Sequence, residues 1–163
     1  MDQNIYLLLG SNLGNSMLQL KEAKAYISQE IGEILEESSY YETEPWGFKE
    51  QASFINQVIR ISTEFAPEPL LDKILEIEQN MGRQRNQPMG PREIDIDILF
   101  YGDLLYQTDR LTIPHPHIPE RSFVLVPMME IAAEFVHPAL DKSIETLYIE
   151  MKDESEVILI EEG

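Results

Sequence analysis

The order of predicted elements is β-α-β-β-α-β, a ferredoxin-like α+β plan with an antiparallel sheet and both helices on one face. Three observations carry this reading. Within the stretch GPREIDIDILFY (90–101), Glu93 to Phe100 reads as strict alternation, with Ile94, Ile96 and Ile98 on one side and Glu93, Asp95 and Asp97 on the other, which is the period of a half-buried strand. Two segments, 17–31 and 67–81, repeat apolar residues at helical spacing, and a glycine (Gly32, Gly82) stops each. The remaining short apolar or alternating runs are bounded by glycine and proline, as strands are.

Taken in order, Asn4 to Leu9 (NIYLLL) is an apolar run ending at Gly10, suited to a central buried strand. Ser11, Asn12, Gly14 and Asn15 read as a turn. Ser16 is placed to cap a helix from Met17 to Ile31, with Leu18, Leu20, Ala23, Ala25 and Ile27 as its apolar positions. Ile34 to Thr43 is a second strand, broken by Pro45 and Gly47. Ser53 to Thr63 alternates again and is a third. Pro67 and Pro69 open the second helix, because proline is tolerated in the first turn, and Leu70, Leu71, Ile74, Ile77 and Met81 give its apolar stripe. The 90–101 stretch is the fourth strand. Beyond Gly102 come Pro114, Pro116 and Pro119, a helix over Arg121 to Ala133, a shorter helical piece over Ile144 to Met151, and Val157 to Ile160 as an added edge strand. With both helices on one face, the other face is left for a site. The segments 44–52 and 83–92 read as loops around it, the second carrying three arginines.

Composition narrows the function. A length of 163 residues predicts one domain spanning 1–163. No cysteine is present, which excludes disulfide and thiol chemistry. The opening residues lack a basic segment and read as no signal peptide. No run approaches the ~20 apolar residues of a membrane span, so the expected location is the cytoplasm. Net charge is −18, from 12 basic and 30 acidic residues, which opposes binding to nucleic acid or anionic membrane. In so acidic a chain the clustered arginines stand out: Arg83, Arg85 and Arg92, then Arg110 and Arg121.

On a strand, residues i and i+2 lie about 7 Å apart on one face, so Asp95 and Asp97 project together. Alternation alone is equally the pattern of a solvated acidic face. A hard cation such as Mg²⁺ would relieve the repulsion and take phosphate oxygens as well. With Arg92 adjacent, this is equipment for phosphoryl transfer. No GxxxxGK[ST] occurs, so a nucleotide would be held by side chains, arginines above all. Arg83 and Arg85 suit either a phosphate clamp or the C-terminal end of a helix dipole. His115 could donate to a phosphate, whereas His117 reads as an exposed loop residue and His137 as structural. Trp46, Phe54 and Phe123 could stack a flat heterocycle, and Asn56 could read its edge.

Five motifs together, GSNLGN (10–15), SSYYETEPWG (38–47), FINQV (54–58), GPREIDIDILFYG (90–102) and LTIPHPHIPERSFVLVPM (111–128), resemble the 6-hydroxymethyl-7,8-dihydropterin pyrophosphokinases of folate biosynthesis. The resemblance implies transfer of pyrophosphate from ATP to the pterin hydroxymethyl group, with AMP as the second product. It implies two Mg²⁺ ions on Asp95 and Asp97, ATP contacts from Glu78, Arg83, Arg85, Arg92, Ile98, His115 and Arg121, and catalytic roles for Arg83 and Arg92. The pterin would meet Thr43, Pro45, Trp46, Phe54, Asn56 and Phe123, with Phe54 and Phe123 on its two sides. It also implies a monomer whose partners are ATP and the reduced pterin, with functional coupling to a dihydropteroate synthase. Met89 stands where the family usually has tryptophan. Two readings of other classes remain beside it: a ferredoxin-like module that binds a small ligand without turnover, and a metal-dependent phosphohydrolase using the same aspartates.

Overall fold

The structure, a computed structural model, describes residues 4–12, 16–43, 54–81, 94–153 and 157–160. The elements are β1 (Ile5–Ser11), α1 (Ser16–Glu30), β2 (Ile34–Glu37), β3 (Tyr40–Thr43), β4 (Phe54–Ile61), α2 (Pro67–Asn80) and β5 (Asp95–Tyr101), then β6 (Tyr106–Gln107), β7 (Thr112–Ile113), α3 (Ser122–Ala132), β8 (Val136–His137), β9 (Lys142–Ser143), α4 (Ile144–Glu150) and β10 (Val157–Ile160). The main sheet runs β10-β3-β4-β1-β5, with β2 also paired to β4. All these pairings are antiparallel. The ferredoxin-like α+β plan is therefore present, with β10 added at the edge beside β3 as the apolar run Val157 to Ile160 predicts.

Strand alternation divides the apolar residues between two cores. On one face Ile5, Leu7 and Leu9 of β1, Ile59 and Ile61 of β4, and Ile94, Ile96 and Ile98 pack against Leu20, Ala23 and Ile27 of α1 and Leu70, Ile74 and Ile77 of α2. Burying each such aliphatic side chain completely contributes about 1.5–3 kcal/mol, and most of these are almost wholly enclosed. On the other face Tyr6, Leu8, Val58, Leu99 and Phe100 pack against Val124, Leu125 and Met128 of α3 and Ile144 and Leu147 of α4. The face expected to be left open is therefore half covered. Among the described residues, the end of the sheet carrying Gly10, Asn56 and Asp95 is left uncovered for a site.

Three local differences from the sequence reading have physical causes. Ile34 to Thr43 is not one strand but two, parted at Ser38–Ser39, and both keep their pairing with β4. Ser38 bridges the break, its N–H donating to the Val58 carbonyl at 2.8 Å and its Oγ accepting the Val58 N–H at 3.0 Å. The first strand does not stop before Gly10 but runs through it to Ser11. Glycine there reflects a close approach and not a turn: a Cβ at Gly10 would lie 2.9 Å from the Asn56 Oδ1. Two two-residue hairpins, β6–β7 and β8–β9, follow β5; strands that short leave no period to read.

β5 also carries a bulge. Leu7 pairs with Ile98 and Tyr6 with Phe100, so Leu99 is an extra residue between them. That puts the consecutive side chains of Leu99 and Phe100 into the same core. Among the described residues no helix is long and apolar enough to cross a membrane.

Candidate active site

The site begins with strand register. Gly10 of β1 lies opposite Asn56 of β4 on one side and Asp95 of β5 on the other, and Leu8 lies opposite Asp97. Residues in register share a face, so Asn56, Gly10 and Asp95 form a row across the sheet, with Asp97 one step further along. Above this row lies a cleft of about 1140 Å³. Its floor is built by Leu8, Gly10, Thr43, Phe54, Asn56, Asp95 and Asp97. Its wall comes from the segment around His117, Pro119, Glu120 and Arg121, from Phe123, and from residues 150–153.

The polar floor is fixed in place. Asn56 is 4% exposed, and its Nδ2 donates to Thr43 Oγ1 at 3.1 Å. That bond sets the amide orientation and leaves Oδ1 over Gly10, where the missing side chain makes the room. Asp95 and Asp97 both face the cleft, as the alternation predicts. Among the described residues no cluster of three or more His, Cys, Asp or Glu side chains forms a complete metal cage. Two carboxylates on one strand face fit instead a hard cation that takes its remaining ligands from substrate oxygens and water.

Glu78 and Ile98, expected at the nucleotide, point their side chains elsewhere, and His115, also expected there, stands beside the cleft wall with its ring centroid 5.8 Å from that of His117. Glu78, at the end of α2, is buried, and one of its oxygens accepts the N–H of Ile96 at 2.8 Å. β5 is the edge strand of the sheet, so this carboxylate satisfies an edge donor between the two aspartates. Ile98 lies in the core beneath the helices; the alternation that aims Asp95 and Asp97 at the cleft aims Ile98 away from it. His115 borders a second cavity of about 470 Å³ with Pro114, Pro116 and Pro119. Its Nδ1 accepts the N–H of His117 at 3.2 Å, which leaves the proton of the neutral ring on Nε2. Burial, with Arg121 and His117 nearby, holds its pKa down to about 4.

Arg121 and Phe123 reach the cleft together, the guanidinium lying 5.4 Å from the ring centroid, within cation–π range. Phe54 stands on the floor. His117 is exposed, as expected, but it also lines the cleft, with Nδ1 3.5 Å from Glu120 Oε2. His137 is structural: its Nδ1 accepts from the N–H groups of Ala139 and Leu140, and its ring meets the edge of Phe100. Arg110, one of the conspicuous arginines, pairs with Glu68 and Asp72 of α2 and is no part of the cleft. Pro45, Trp46, Arg83, Arg85, Met89 and Arg92 lie outside the described residues.

Sequence reasoning missed Gly10, Glu120 and the wall at 150–153. Gly10 was legible only as a turn residue, since its use depends on what lies opposite it. Glu150 and Asp153 are two of 30 acidic residues, and nothing local distinguishes them.

Residues 6–133 match the model of the 7,8-dihydro-6-hydroxymethylpterin-pyrophosphokinase (HPPK) family. A 2-amino-4-hydroxy-6-hydroxymethyldihydropteridine pyrophosphokinase of Aquifex aeolicus is 40% identical over 138 residues, covering 85% of this chain and 86% of that protein. Its counterpart in Haemophilus influenzae is 42% identical over 134 residues, covering 82% and 84%. The folic acid synthesis protein fol1 of Pneumocystis carinii is 39% identical over 152 residues, which is 93% of this chain but only 20% of that protein. The chain thus spans most of the length of the two bacterial relatives and a fifth of the fungal one. Among solved structures, wild-type HPPK-DHPS of Plasmodium falciparum superposes with a TM-score of 0.76 at 18% identity, covering 92% of this chain and 45% of that one. At that identity the likeness is one of fold.

Proposed function

The chain belongs to the 7,8-dihydro-6-hydroxymethylpterin-pyrophosphokinase family, whose reaction is ATP-dependent pyrophosphoryl transfer to hydroxymethyldihydropterin in folate biosynthesis, and we propose that the cleft performs that transfer as follows. The observation that carries the proposal is the row Asn56–Gly10–Asp95 with Asp97 beside it. It sets an amide that can read a heterocycle edge next to a carboxylate pair that can hold a metal-bound triphosphate.

The pterin lies on the floor between the rings of Phe54 and Phe123. Asn56 meets its polar edge through Oδ1, the amide being locked by Thr43, and the absence of a side chain at Gly10 lets the ring sit close to the sheet. The family resemblance assigns Pro45 and Trp46 to the same substrate. Asp95 and Asp97 would hold two Mg²⁺ ions, which would supply positive charge against the triphosphate. Arg121 adds positive charge at the wall. His115 stays neutral at physiological pH and offers its Nε2 proton to a phosphate oxygen. Arg83, Arg85 and Arg92 bring charge from the 83–92 segment, with Arg83 and Arg92 stabilising the transferred group. Glu78 serves by anchoring the β5 edge and Ile98 by holding the strand from below. The acceptor hydroxyl oxygen bonds to the β-phosphorus and releases its proton to water, the bond between the α–β bridging oxygen and the β-phosphorus breaks, and AMP leaves with that oxygen. The chain works as a cytoplasmic monomer of one domain, and the HPPK-DHPS proteins of similar fold favour functional coupling to a dihydropteroate synthase.

Chromatography of the nucleotide product from ATP, Mg²⁺ and the reduced pterin tests the assignment. AMP formed in step with a pterin diphosphate is expected. Stoichiometric ADP would leave a kinase but remove the pyrophosphokinase. Phosphate release without pterin would favour a hydrolase.

A further inference from the structure

Helix α3 starts at the cleft without a local cap. Its N-cap position is Arg121, in extended backbone conformation and making no capping bond. An arginine side chain offers donors only, yet the first turn of a helix needs acceptors for its free N–H groups. One acceptor comes from far along the chain. Asp153 Oδ2 accepts the N–H of Ser122 at 2.9 Å and its hydroxyl at 2.9 Å. Ser122 is 2% exposed, so the donor side of both bonds is shielded from water, while Asp153 is half-buried. The residues on either side of it are Arg121 and Phe123, the pair whose guanidinium and ring face the cleft. Asp153 lines the same cleft with Met151 and Lys152, beyond residue 133, where the family match ends.

We propose that Asp153 is a positioning residue: through Ser122 it fixes the start of α3, and so aims Arg121 and Phe123 into the cleft. The position that would ordinarily carry a serine or aspartate cap carries the arginine, and the capping carboxylate is supplied from across the site. A charged acceptor on a backbone N–H at a helix N-terminus is among the stronger hydrogen bonds and agrees in sign with the helix dipole. Arg121 and Phe123 flank the anchored residue, so a small rotation at Ser122 displaces both, and displacements near 1 Å are costly to a positioned site. The proposal rests on the reading that these two side chains meet the nucleotide and the pterin.

The test is steady-state kinetics of Asp153→Ala, Asp153→Asn, Ser122→Ala and the double alanine variant, with KM for pterin and for ATP measured separately and thermal midpoints recorded. Phe123→Ala and Arg121→Ala run in parallel. Asp153→Ala is expected to lower kcat/KM for the pterin about tenfold, as for loss of a charge-assisted hydrogen bond, mostly through the pterin KM. Asp153→Asn, which keeps an acceptor oxygen, recovers most of that loss, and the double variant is no worse than Asp153→Ala. A lowered thermal midpoint with parental kcat and both KM values, while Phe123→Ala is impaired, would reduce Asp153 to a cap and overturn the proposal without touching the cleft. Parental kinetics in both Phe123→Ala and Arg121→Ala would overturn the reading of the cleft and the proposal with it. If Asp153→Ala does not fold, Ser122→Pro decides, because proline suits the first helical position after an extended residue and removes both donors to Asp153: a several-fold rise in pterin KM supports the proposal, and a parental KM overturns it.

Discussion

The two faces of the central sheet are made by the same strands and differ in what they tolerate. Beneath it Ile96, Ile98, Leu7 and Leu9 meet two helices in an apolar core. On the other side their sequence neighbours divide into a covered end, where Tyr6, Leu8 and Val58 meet α3 and α4, and an open end with Gly10, Asn56, Asp95 and Asp97. The helix-covered face supplies stability and little chemistry. The open end supplies chemistry and leaves polar groups at a cleft, which adds little to stability. A rigid apolar layer directly under the site holds in register the strands that carry the aspartates and the amide.

Substitutions on either side should separate these roles. The largest effect is expected at the open end. Asp97→Asn should lower turnover by about 10³-fold, as for removal of a charge-stabilising group in phosphoryl transfer, while thermal stability stays close to the parent, because the residue faces the cleft and not the core. Near-normal turnover in Mg²⁺ would end the metal assignment. On the buried side, Ile74→Ala removes a side chain with no exposed surface and should cost about 2–5 kcal/mol of unfolding free energy in denaturant titration, with KM values unchanged in the protein that remains folded. A loss of pterin affinity larger than the loss of stability would show that the two faces are not separable.

Smaller effects sharpen the boundary. Gly10→Ala puts a methyl where the Asn56 Oδ1 sits 2.9 Å away. Calorimetric titration should show about tenfold weaker pterin binding, on the scale of one misplaced amide hydrogen bond, with ATP binding little changed. Equal losses for both ligands would mean that the strand had shifted and not the amide.

The smallest effect concerns pH. The folded pKa of His115 lies at about 4, depressed by burial and by Arg121 and His117, whereas an unfolded histidine titrates near 6.5. Between those values the unfolded chain binds the proton and the folded chain does not, so this group lowers stability as pH falls from about 6.5 to about 4. His115→Asn should flatten the stability profile in that window and leave it unchanged above pH 7. An unaltered slope would mean that His115 is charged in the folded protein.

What was legible in the sequence follows from the range of the forces involved. Alternation in 94–98 is a local pattern that places each side chain on one face or the other, so the direction of Asp95 and Asp97 could be read before the fold was known, whereas the break at Leu99 could not. The same rule sends Ile98 into the core. The helices were legible because glycine and proline mark their ends. The covering of half the second face by α3 and α4 was not, because an apolar helix shows only that it needs a partner surface, not which one. The link between Asp153 and Ser122 spans 31 positions and joins residue types common everywhere on an acidic chain. Gly10 shows its purpose only when Asn56 is opposite it. Local period gave direction, and long-range pairing had to give neighbours.

The extra residue in β5 has a mechanical consequence. A regular antiparallel pair can slide by two residues and recover equivalent hydrogen bonds and facing, so regular alternation cannot by itself decide which of several rungs Asp95 occupies. With Leu99 bulged between the rungs of Leu7 and Tyr6, sliding would carry the irregularity to a place where neither Leu99 nor Phe100 has a pocket. The bulge thus works as a detent. It sits a few residues from the carboxylates, outside the cleft, and indexes them against Gly10, so the spacing between amide and acid is held by a notch in the strand and not by the groups that use it.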